Sequence, residues 1–189
     1  MPANHNLPRM RSWLFAPGDS ERKMSKAADG DADIVLLDLE DSVMPEGKPD
    51  ARKMVAAFLA LREDKQRIWV RVNPAFSGEI GKDLDAMIAS APGGLFLPKA
   101  EGREDIEALD AMLTAREIDC GLTPGSTLIA ALVTETPKAM FHCGDYEGNY
   151  PGSERLVAMS WGAEDLSSAL GARVQHRMDG SYMPTYELA

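Results

Sequence analysis

The sequence has few cysteines and no long apolar run. Its two cysteines, Cys120 and Cys143, are too few for a disulfide framework or a cysteine metal site, so we expect reduced thiols in a cytoplasmic protein. No apolar run approaches the roughly 18 residues of a membrane span, and residues 1–12 contain no apolar segment of the kind that a secretory signal needs. These absences predict a soluble protein without a membrane anchor.

An excess of positive charge is also absent. Thirty Asp and Glu residues against twenty Lys and Arg residues give a net charge of -10, which repels phosphodiester backbones and anionic lipid headgroups. We therefore expect no nucleic-acid or membrane partner. The first apolar run is not followed by a Gly-x-Gly-x-x-Gly motif, and residues 17–20 supply a turn and a candidate helix N-cap instead. A dinucleotide-binding Rossmann domain is disfavoured.

Short apolar runs bounded by turn residues recur along the chain, and stretches with helical spacing of apolar residues lie between them. Continuous apolar runs are typical of parallel strands covered by helices, and a repeat of about 30 residues suits a (β/α)8 barrel or a doubly wound sheet. The predicted strands are Ser12–Ala16, Ile34–Leu39, Ile68–Val72, Leu95–Leu97, Leu128–Val133 and Leu156–Ser160. The predicted helices are Ala51–Leu61, Asp83–Ala89, Glu104–Arg116 and Leu166–Leu170.

Polar side chains at the ends of the predicted strands favour the barrel, because barrel enzymes keep their chemistry at that rim. We predict an α/β fold of the TIM (β/α)8 type, as a single domain over residues 1–189 with about six β-α units. A complete barrel has eight strands, and Met183–Ala189 resembles the beginning of a further helix, so we expect a domain truncated at its C-terminal end. The polar residues are Asp38, Glu40, Asp41, Arg71, Asn73, Lys99, Glu135 and Asp165.

Two carboxylates follow neighbouring predicted strands. Glu135 closes the segment ALVTE, and Asp165 follows the small-residue turn in WGAED. Such carboxylates can converge on one Mg2+ ion, which prefers oxygen ligands and commonly takes one or two from protein carboxylates. Alternatively, each is a surface charge or a carboxylate near the positive end of a helix dipole. Spacing alone leaves both interpretations open.

Arg71, in RIWVRVNP, alternates with aliphatic residues, so we expect it on the opposite strand face together with Trp69 and Asn73. A guanidinium group in that position could clamp a carboxylate or an enolate with two parallel hydrogen bonds, which a lysine could not reproduce. The alternative is an ion pair inside the barrel with Asp38 or Glu40. Both roles agree with the sequence.

Three further charged residues are predicted to support the site. Asp38 and Glu40 share one strand face and, as crowded like charges, need a cationic partner. Holding Arg71 in place is the role that we predict for them. Lys99, in LFLPK, contacts an anionic substrate, pairs with Glu135 or forms a salt bridge at the rim.

Six segments, in this order, resemble the strand-end motifs of citrate lyase β-subunit-like proteins, a group within the malyl-CoA lyase and HpcH/HpaI aldolase superfamily. They cover residues 11 to about 170, nearly the whole chain. The segments are RSWLFAPGDS, DIVLLDLEDSV, IWVRVN, GLFLPKAE, LIAALVTETP and WGAEDL. The resemblance implies a (β/α)8 barrel and a magnesium-dependent carbon-carbon lyase.

By this resemblance, Arg71 and Glu135 are the catalytic residues, and Glu135 and Asp165 are the Mg2+ ligands. The implied reaction is the cleavage or formation of a 3-hydroxyacyl thioester such as citryl-, malyl- or citramalyl-CoA. The partners are then a 2-oxo acid (oxaloacetate, pyruvate or glyoxylate) and an acyl-CoA or acyl-carrier thioester. The substrate-binding set comprises Arg71, Glu135, Gly162, Ala163, Glu164 and Asp165.

Family members often form trimers or larger rings, so the resemblance also implies a homo-oligomer. They usually continue beyond the equivalent of Ala189, with the last barrel strands and often a segment that contributes an acid-base group. Two other functions remain open from the sequence. One is an aldolase acting on a free 2-oxo-4-hydroxy acid, and the other is a catalytically silent subunit that retains the metal and oxo-acid pocket.

Overall fold

The computed structural model describes residues 7 and 9–187. Six parallel strands alternate with helices and form one sheet, in sequential order from β1 to β6. This confirms the predicted α/β fold, a partial barrel of the TIM type. The strands are β1 (Trp13–Pro17), β2 (Ile34–Asp38), β3 (Ile68–Arg71), β4 (Gly94–Leu97), β5 (Leu128–Leu132) and β6 (Leu156–Ser160). The α-helices are α1 (Glu21–Ala28), α2 (Lys48–Ala60), α3 (Ile80–Met87), α4 (Arg103–Asp119), α5 (Ala163–Ala169) and α6 (Pro184–Glu187). Two short 3-10 helices, Ala139–Phe141 and Cys143–Tyr146, take the place of an α-helix between β5 and β6.

Each predicted strand is present, and its ends differ from the prediction by one residue at most. The sequence did not predict α1 beyond its N-cap at Ser20. Ser20 is extended, and its carbonyl accepts the main-chain N–H groups of Lys23 and Met24 at 3.0 Å each, which starts the helix. The helix expected at Met183–Ala189 begins at Pro184, and its last two predicted residues lie outside the described part of the chain.

The two faces of the sheet bury different apolar clusters, as the alternation of side chains along strands requires. One face packs against the helices, for example through Leu37 of β2 and Val55 of α2. The other face fills the barrel interior, where Trp69 meets Trp13 edge to face with ring centroids 5.2 Å apart. The interior cluster consists of Ile34, Leu36, Trp69, Phe96, Leu128, Ala130 and Leu132.

The tight contact between β3 and β4 gives a first test of this packing. A Cβ atom added to Gly94 would lie 2.6 Å from the ring of the fully buried Trp69. We expect Gly94→Ala to lower the free energy of unfolding by about 1 to 3 kcal/mol, because an overpacked core must shift rigid neighbours. Urea unfolding measures the effect. Gly144→Ala is the control, since nothing lies within 4 Å of its Cβ position; equal unfolding midpoints for the two variants would contradict the packing.

The strands at both ends of the sheet have open edges. Among the described residues, β1 pairs with β2 alone and β6 pairs with β5 alone. Leu14 and Phe15 of β1 are 44% and 47% exposed, and Met159 of β6 is 56% exposed. Unpaired strand edges favour association with further strands. Within residues 7 and 9–187, no helix combines the length and the apolar character needed to cross a bilayer.

Candidate functional site

The carboxyl ends of β2 and β3 bring Asp38 and Arg71 together. The two residues are register partners at the ends of their strands. Arg71 Nε donates to Asp38 Oδ1 and Arg71 Nη2 donates to Asp38 Oδ2, each at 2.7 Å, so the pair is bidentate. Burial disfavours charge on both groups, but their mutual hydrogen bonds outweigh it and lower the pKa of Asp38 while raising the pKa of Arg71.

Glu40 completes the acidic support of Arg71. Its Oε2 atom lies 3.0 Å from Arg71 Nη1 but is not aligned for a hydrogen bond with any described group. Burial is the main reason why the pKa of Glu40 is raised, although the nearby Lys99 and Arg71 charges oppose the shift. Asp38 and Glu40 therefore both contact Arg71, which has the geometry of the ion-pair interpretation. Asp38 ends β2, whereas Glu40 lies two residues beyond it.

The aromatic ring of Phe15 also contacts the Arg71 guanidinium group. The Arg71 Cζ atom is 4.8 Å from the ring centroid, which is the distance of a cation–π contact. Phe15 also meets Phe96 edge to face. Phe15 was not among the residues predicted for the site, although its alternation with Trp13 in RSWLFAP would have placed both rings on the interior face. Arg71 is thus fixed by carboxylates and an aromatic ring.

Lys99 follows β4 and contacts three acidic residues. Its main-chain N–H donates to Glu135 Oε2 at 2.6 Å, and its ammonium group lies 2.9 Å from Asp165 Oδ2. The ammonium group also donates to Glu40. Burial opposes the charge of Lys99, but the hydrogen bonds with Glu40 and Asp165 prevail and raise its pKa. The predicted pair with Glu135 therefore exists through the backbone, whereas the side chain pairs with Glu40 and Asp165.

Glu135 and Asp165 are joined through Lys99, whose main-chain N–H donates to Glu135 Oε2 and whose ammonium group lies 2.9 Å from Asp165 Oδ2. Glu135 is 5% exposed, and burial together with the neighbouring Asp165 carboxylate raises its pKa. Asp165 keeps a lowered pKa, because Lys99 outweighs the effect of its partial burial. Two carboxylates this close cannot both ionise freely without a neighbouring positive charge.

The turn before α5 holds Asp165 in this position. The Gly162 N–H donates to Thr134 Oγ1 at 3.0 Å, which ties the turn to the segment after β5. A Cβ atom on Gly162 would lie 3.2 Å from Glu135 Cγ, so the absence of a side chain leaves room beside that carboxylate. Thr134 was not selected from the sequence, and only its position next to Glu135 in VTETP could have indicated it.

The four residues predicted to form the substrate turn take different positions. The main-chain N–H of Gly162 is bonded to Thr134 Oγ1. Ala163 is buried and begins α5, and the N–H groups of a first helical turn have no acceptor within the helix. The exposed Glu164 carboxylate accepts from Gln175 Nε2 at 3.2 Å. Of the four, only Asp165 pairs with the Lys99 side chain.

Asn73 corrects one prediction. It was predicted to lie on the same face as Arg71, but its side chain donates to Asp83 of α3 at 2.8 Å and accepts from Lys48 of α2 at 2.6 Å. The difference arises because β3 ends at Arg71, and side chains do not alternate between two faces beyond the end of a strand. Asn73 links two outer helices instead of lining the site.

The donor set of Glu135 and Asp165 suits a magnesium ion. One carboxylate is buried and the other half-buried, both contact Lys99, and the adjacent Gly162 leaves space beside Glu135. In the described part of the chain there is no group of three or more His, Cys, Asp or Glu residues arranged to hold a metal. The pair would therefore leave most coordination positions to water or substrate, which is the usual binding mode of Mg2+.

Comparison of the sequence with known proteins shows which family the chain matches. Residues 11–181 match the family described as HpcH/HpaI aldolase/citrate lyase. The citrate lyase subunit beta-like protein of Mycobacterium tuberculosis is 35% identical over 173 residues, which are 90% of this chain and 54% of the relative. The L-malyl-CoA/beta-methylmalyl-CoA lyase of Cereibacter sphaeroides is 32% identical over 165 residues, 85% of this chain and 50% of the relative. The chain spans about half the length of these curated relatives.

A solved structure has the same fold. The citrate lyase beta subunit of M. tuberculosis, complexed with oxaloacetate and magnesium, superposes with a TM-score of 0.73 at 32% sequence identity. The match covers 93% of this chain and 68% of that chain. The sheet described above therefore has a counterpart in a protein whose structure contains an oxo acid and magnesium.

Proposed function

Because the chain belongs to the HpcH/HpaI aldolase/citrate lyase family, we propose that it is a magnesium-dependent carbon-carbon lyase acting on a 3-hydroxyacyl thioester. The observation that carries this proposal is the meeting of Glu135 and Asp165 beside Lys99, with Lys99 in turn joined through Glu40 to Arg71. Citryl-, malyl- and citramalyl-CoA are the substrate candidates. The names of the relatives, a citrate lyase subunit beta-like protein and a malyl-CoA lyase, support this substrate class.

In the proposed reaction, the bond between C2 and C3 of the thioester chain breaks. The C3 hydroxyl group loses its proton and becomes the oxo group of a 2-oxo acid, and C2 gains a proton to complete the acyl thioester. Glu135 and Asp165 would hold Mg2+, which supplies a Lewis acid for the oxygen atoms of the oxo acid. Arg71, fixed by Asp38 and Glu40, contributes preorganised positive charge where negative charge develops.

Cation binding tests the proposed ligands directly. In calorimetric titrations with oxaloacetate, pyruvate or glyoxylate present, we expect saturable Mg2+ binding that weakens by about 100-fold or more in Glu135→Gln or Asp165→Asn, because each variant removes a ligand. Glu63→Gln and Asp31→Asn are matched controls, since they make the same charge changes at exposed positions outside the site. Unchanged Mg2+ affinity in both ligand variants would refute the proposal.

Turnover distinguishes the substrate classes. Cleavage of citryl-, malyl- or citramalyl-CoA, with formation of a 2-oxo acid, supports the thioester lyase. Cleavage of free 2-oxo-4-hydroxy acids alone would identify an aldolase, and intact Mg2+ binding without either activity would identify a silent binding subunit. We also propose a cytoplasmic location and a homo-oligomer, a trimer or larger, which sedimentation of the purified chain measures.

A further inference from the structure

Lys99 is the residue that contacts both proposed metal ligands. Its main-chain N–H donates to Glu135 Oε2 at 2.6 Å, and its ammonium group lies 2.9 Å from Asp165 Oδ2. The same ammonium group donates to Glu40 and is 3.9 Å from Asp41 Oδ1. A lysine side chain therefore occupies one side of the carboxylate pair that suits a divalent cation.

The backbone of Lys99 has an unusual conformation that makes these contacts possible. Its φ angle is +53°, and Ala91 is the other residue apart from glycine with positive φ in the described part of the chain. A left-handed backbone is strained for lysine and persists where the surroundings hold it, often at functional sites. At this turn, the N–H group points to one carboxylate while the side chain reaches another.

The Lys99 ammonium group is the main positively charged partner of Asp165. Arg71 is engaged in the bidentate pair with Asp38 and contacts Glu40. The ammonium group of Lys99 thus offsets the charge of Asp165 at 2.9 Å. A divalent cation held by Glu135 and Asp165 would bring a second positive charge close to this ammonium group, and the two would compete for Asp165.

We propose that the Lys99 ammonium group is an internal counter-ion that holds Asp165 until a divalent cation binds, and that it then releases Asp165 and keeps Glu40. The inference rests on the proposed function, because it requires the same two carboxylates to take the cation. It assigns Lys99 a positioning role. Lys99 preserves the arrangement of the carboxylates before the metal binds and sets the concentration of metal that is needed.

Titration of Mg2+ into Lys99→Met tests the competition. We expect the variant to bind Mg2+ about tenfold more tightly or better than the unaltered chain, because the competing positive charge is gone. The Mg2+-induced rise in melting temperature should increase in the same variant. Lys99→Arg, which retains the charge, should stay close to the unaltered chain, and Lys23→Met controls for loss of an exposed lysine elsewhere.

A second measurement uses the unaltered chain and so does not depend on how the variants fold. Acetylation of individual lysines, followed by mass spectrometry, reports whether the Lys99 amine is held by Asp165. We expect Mg2+ to increase labelling of Lys99 and to leave Lys23 unchanged. In Asp165→Asn, Lys99 should be labelled faster even without Mg2+.

The possible failures are distinguishable. If the unaltered chain binds Mg2+ through Glu135 and Asp165 but Lys99→Met binds it equally well, the inference is overturned and the proposed function stands. If Lys99 labelling is insensitive to Mg2+ in a chain that binds the ion, the inference is overturned as well. If neither the unaltered chain nor Lys99→Met binds Mg2+, the proposed function fails, and the inference fails with it.

Discussion

Replacing Arg71 with leucine is expected to lower the free energy of unfolding by about 3 to 5 kcal/mol, because removing one partner of a buried ion pair leaves the other charge uncompensated. The side chains of Asp38 and Arg71 are only 3% and 12% exposed. Asp38 would lose two hydrogen bonds of 2.7 Å, and Glu40 would lose the guanidinium group at 3.0 Å. Under the proposed function, turnover should also disappear.

Arg71→Lys separates charge from geometry. A lysine retains the positive charge but cannot form two parallel hydrogen bonds to Asp38, so we expect a smaller loss of stability and, under the proposed function, a large loss of kcat. Urea unfolding and steady-state turnover measure the two effects. Arg22→Leu, at an exposed position of α1, is the control for loss of an arginine. If Arg71→Leu and Arg22→Leu had the same free energy of unfolding, the ion pair between Arg71 and Asp38 would contribute no measurable stability.

Much of the arrangement around Arg71 could be predicted from the sequence. Continuous apolar runs predicted the parallel strands, and the polar residues that follow them predicted the rim of the sheet at which the proposed site lies. Alternation along β2 predicted the direction of Asp38, the last residue of the strand, and Asp38 contacts Arg71. This inference succeeds because residues within a strand have a fixed side-chain period of two, so the sequence itself encodes the direction of each side chain. Glu40 also contacts Arg71, although it lies two residues after β2, where this period no longer applies.

The directions of side chains beyond the strand ends were harder to predict from the sequence, because loop backbones have no such period. Asn73 lies two residues after β3 and points to α2 and α3 instead of following Arg71. Lys99 lies two residues after β4, and its positive φ sends its N–H and its ammonium group to different carboxylates. Neither backbone conformation can be read from LFLPK or RVNP.

Arg155 forms a second buried ionic cluster, which predicts a large effect outside the proposed site. It lies directly before β6 and is 3% exposed. Two of its nitrogen atoms donate to Glu117 of α4 at 2.9 and 2.8 Å, and Nε donates to Asp110 at 2.5 Å. Glu117 is fully buried, so Arg155→Leu should lower the free energy of unfolding by about 3 to 5 kcal/mol through the uncompensated carboxylate.

The pH dependence of unfolding tests whether the charge of Glu117 is the cause of this loss of stability. Burial alone would raise the pKa of Glu117, but the bonds from Arg155, Thr127 and Gly125 prevail and lower it to about 2. Because the folded pKa lies below the unfolded value, Glu117 contributes stability above about pH 4.5, and this contribution is lost as the pH falls towards 2. Urea unfolding between pH 7 and pH 3 measures it.

The double variant Arg155→Leu/Glu117→Leu provides the control within the cluster. Apolar residues can replace a buried ion pair with little loss or a gain of stability, whereas removal of one partner is destabilising. We therefore expect the double variant to recover most of the stability lost in Arg155→Leu and to lose less stability than the unaltered chain between pH 7 and pH 3. If the double variant is as unstable as Arg155→Leu, the charge of Glu117 is not the main cause of the lost stability. The stability at this end of β6 then comes from the packing of the arginine stem and from its contacts with Thr114 and Thr127.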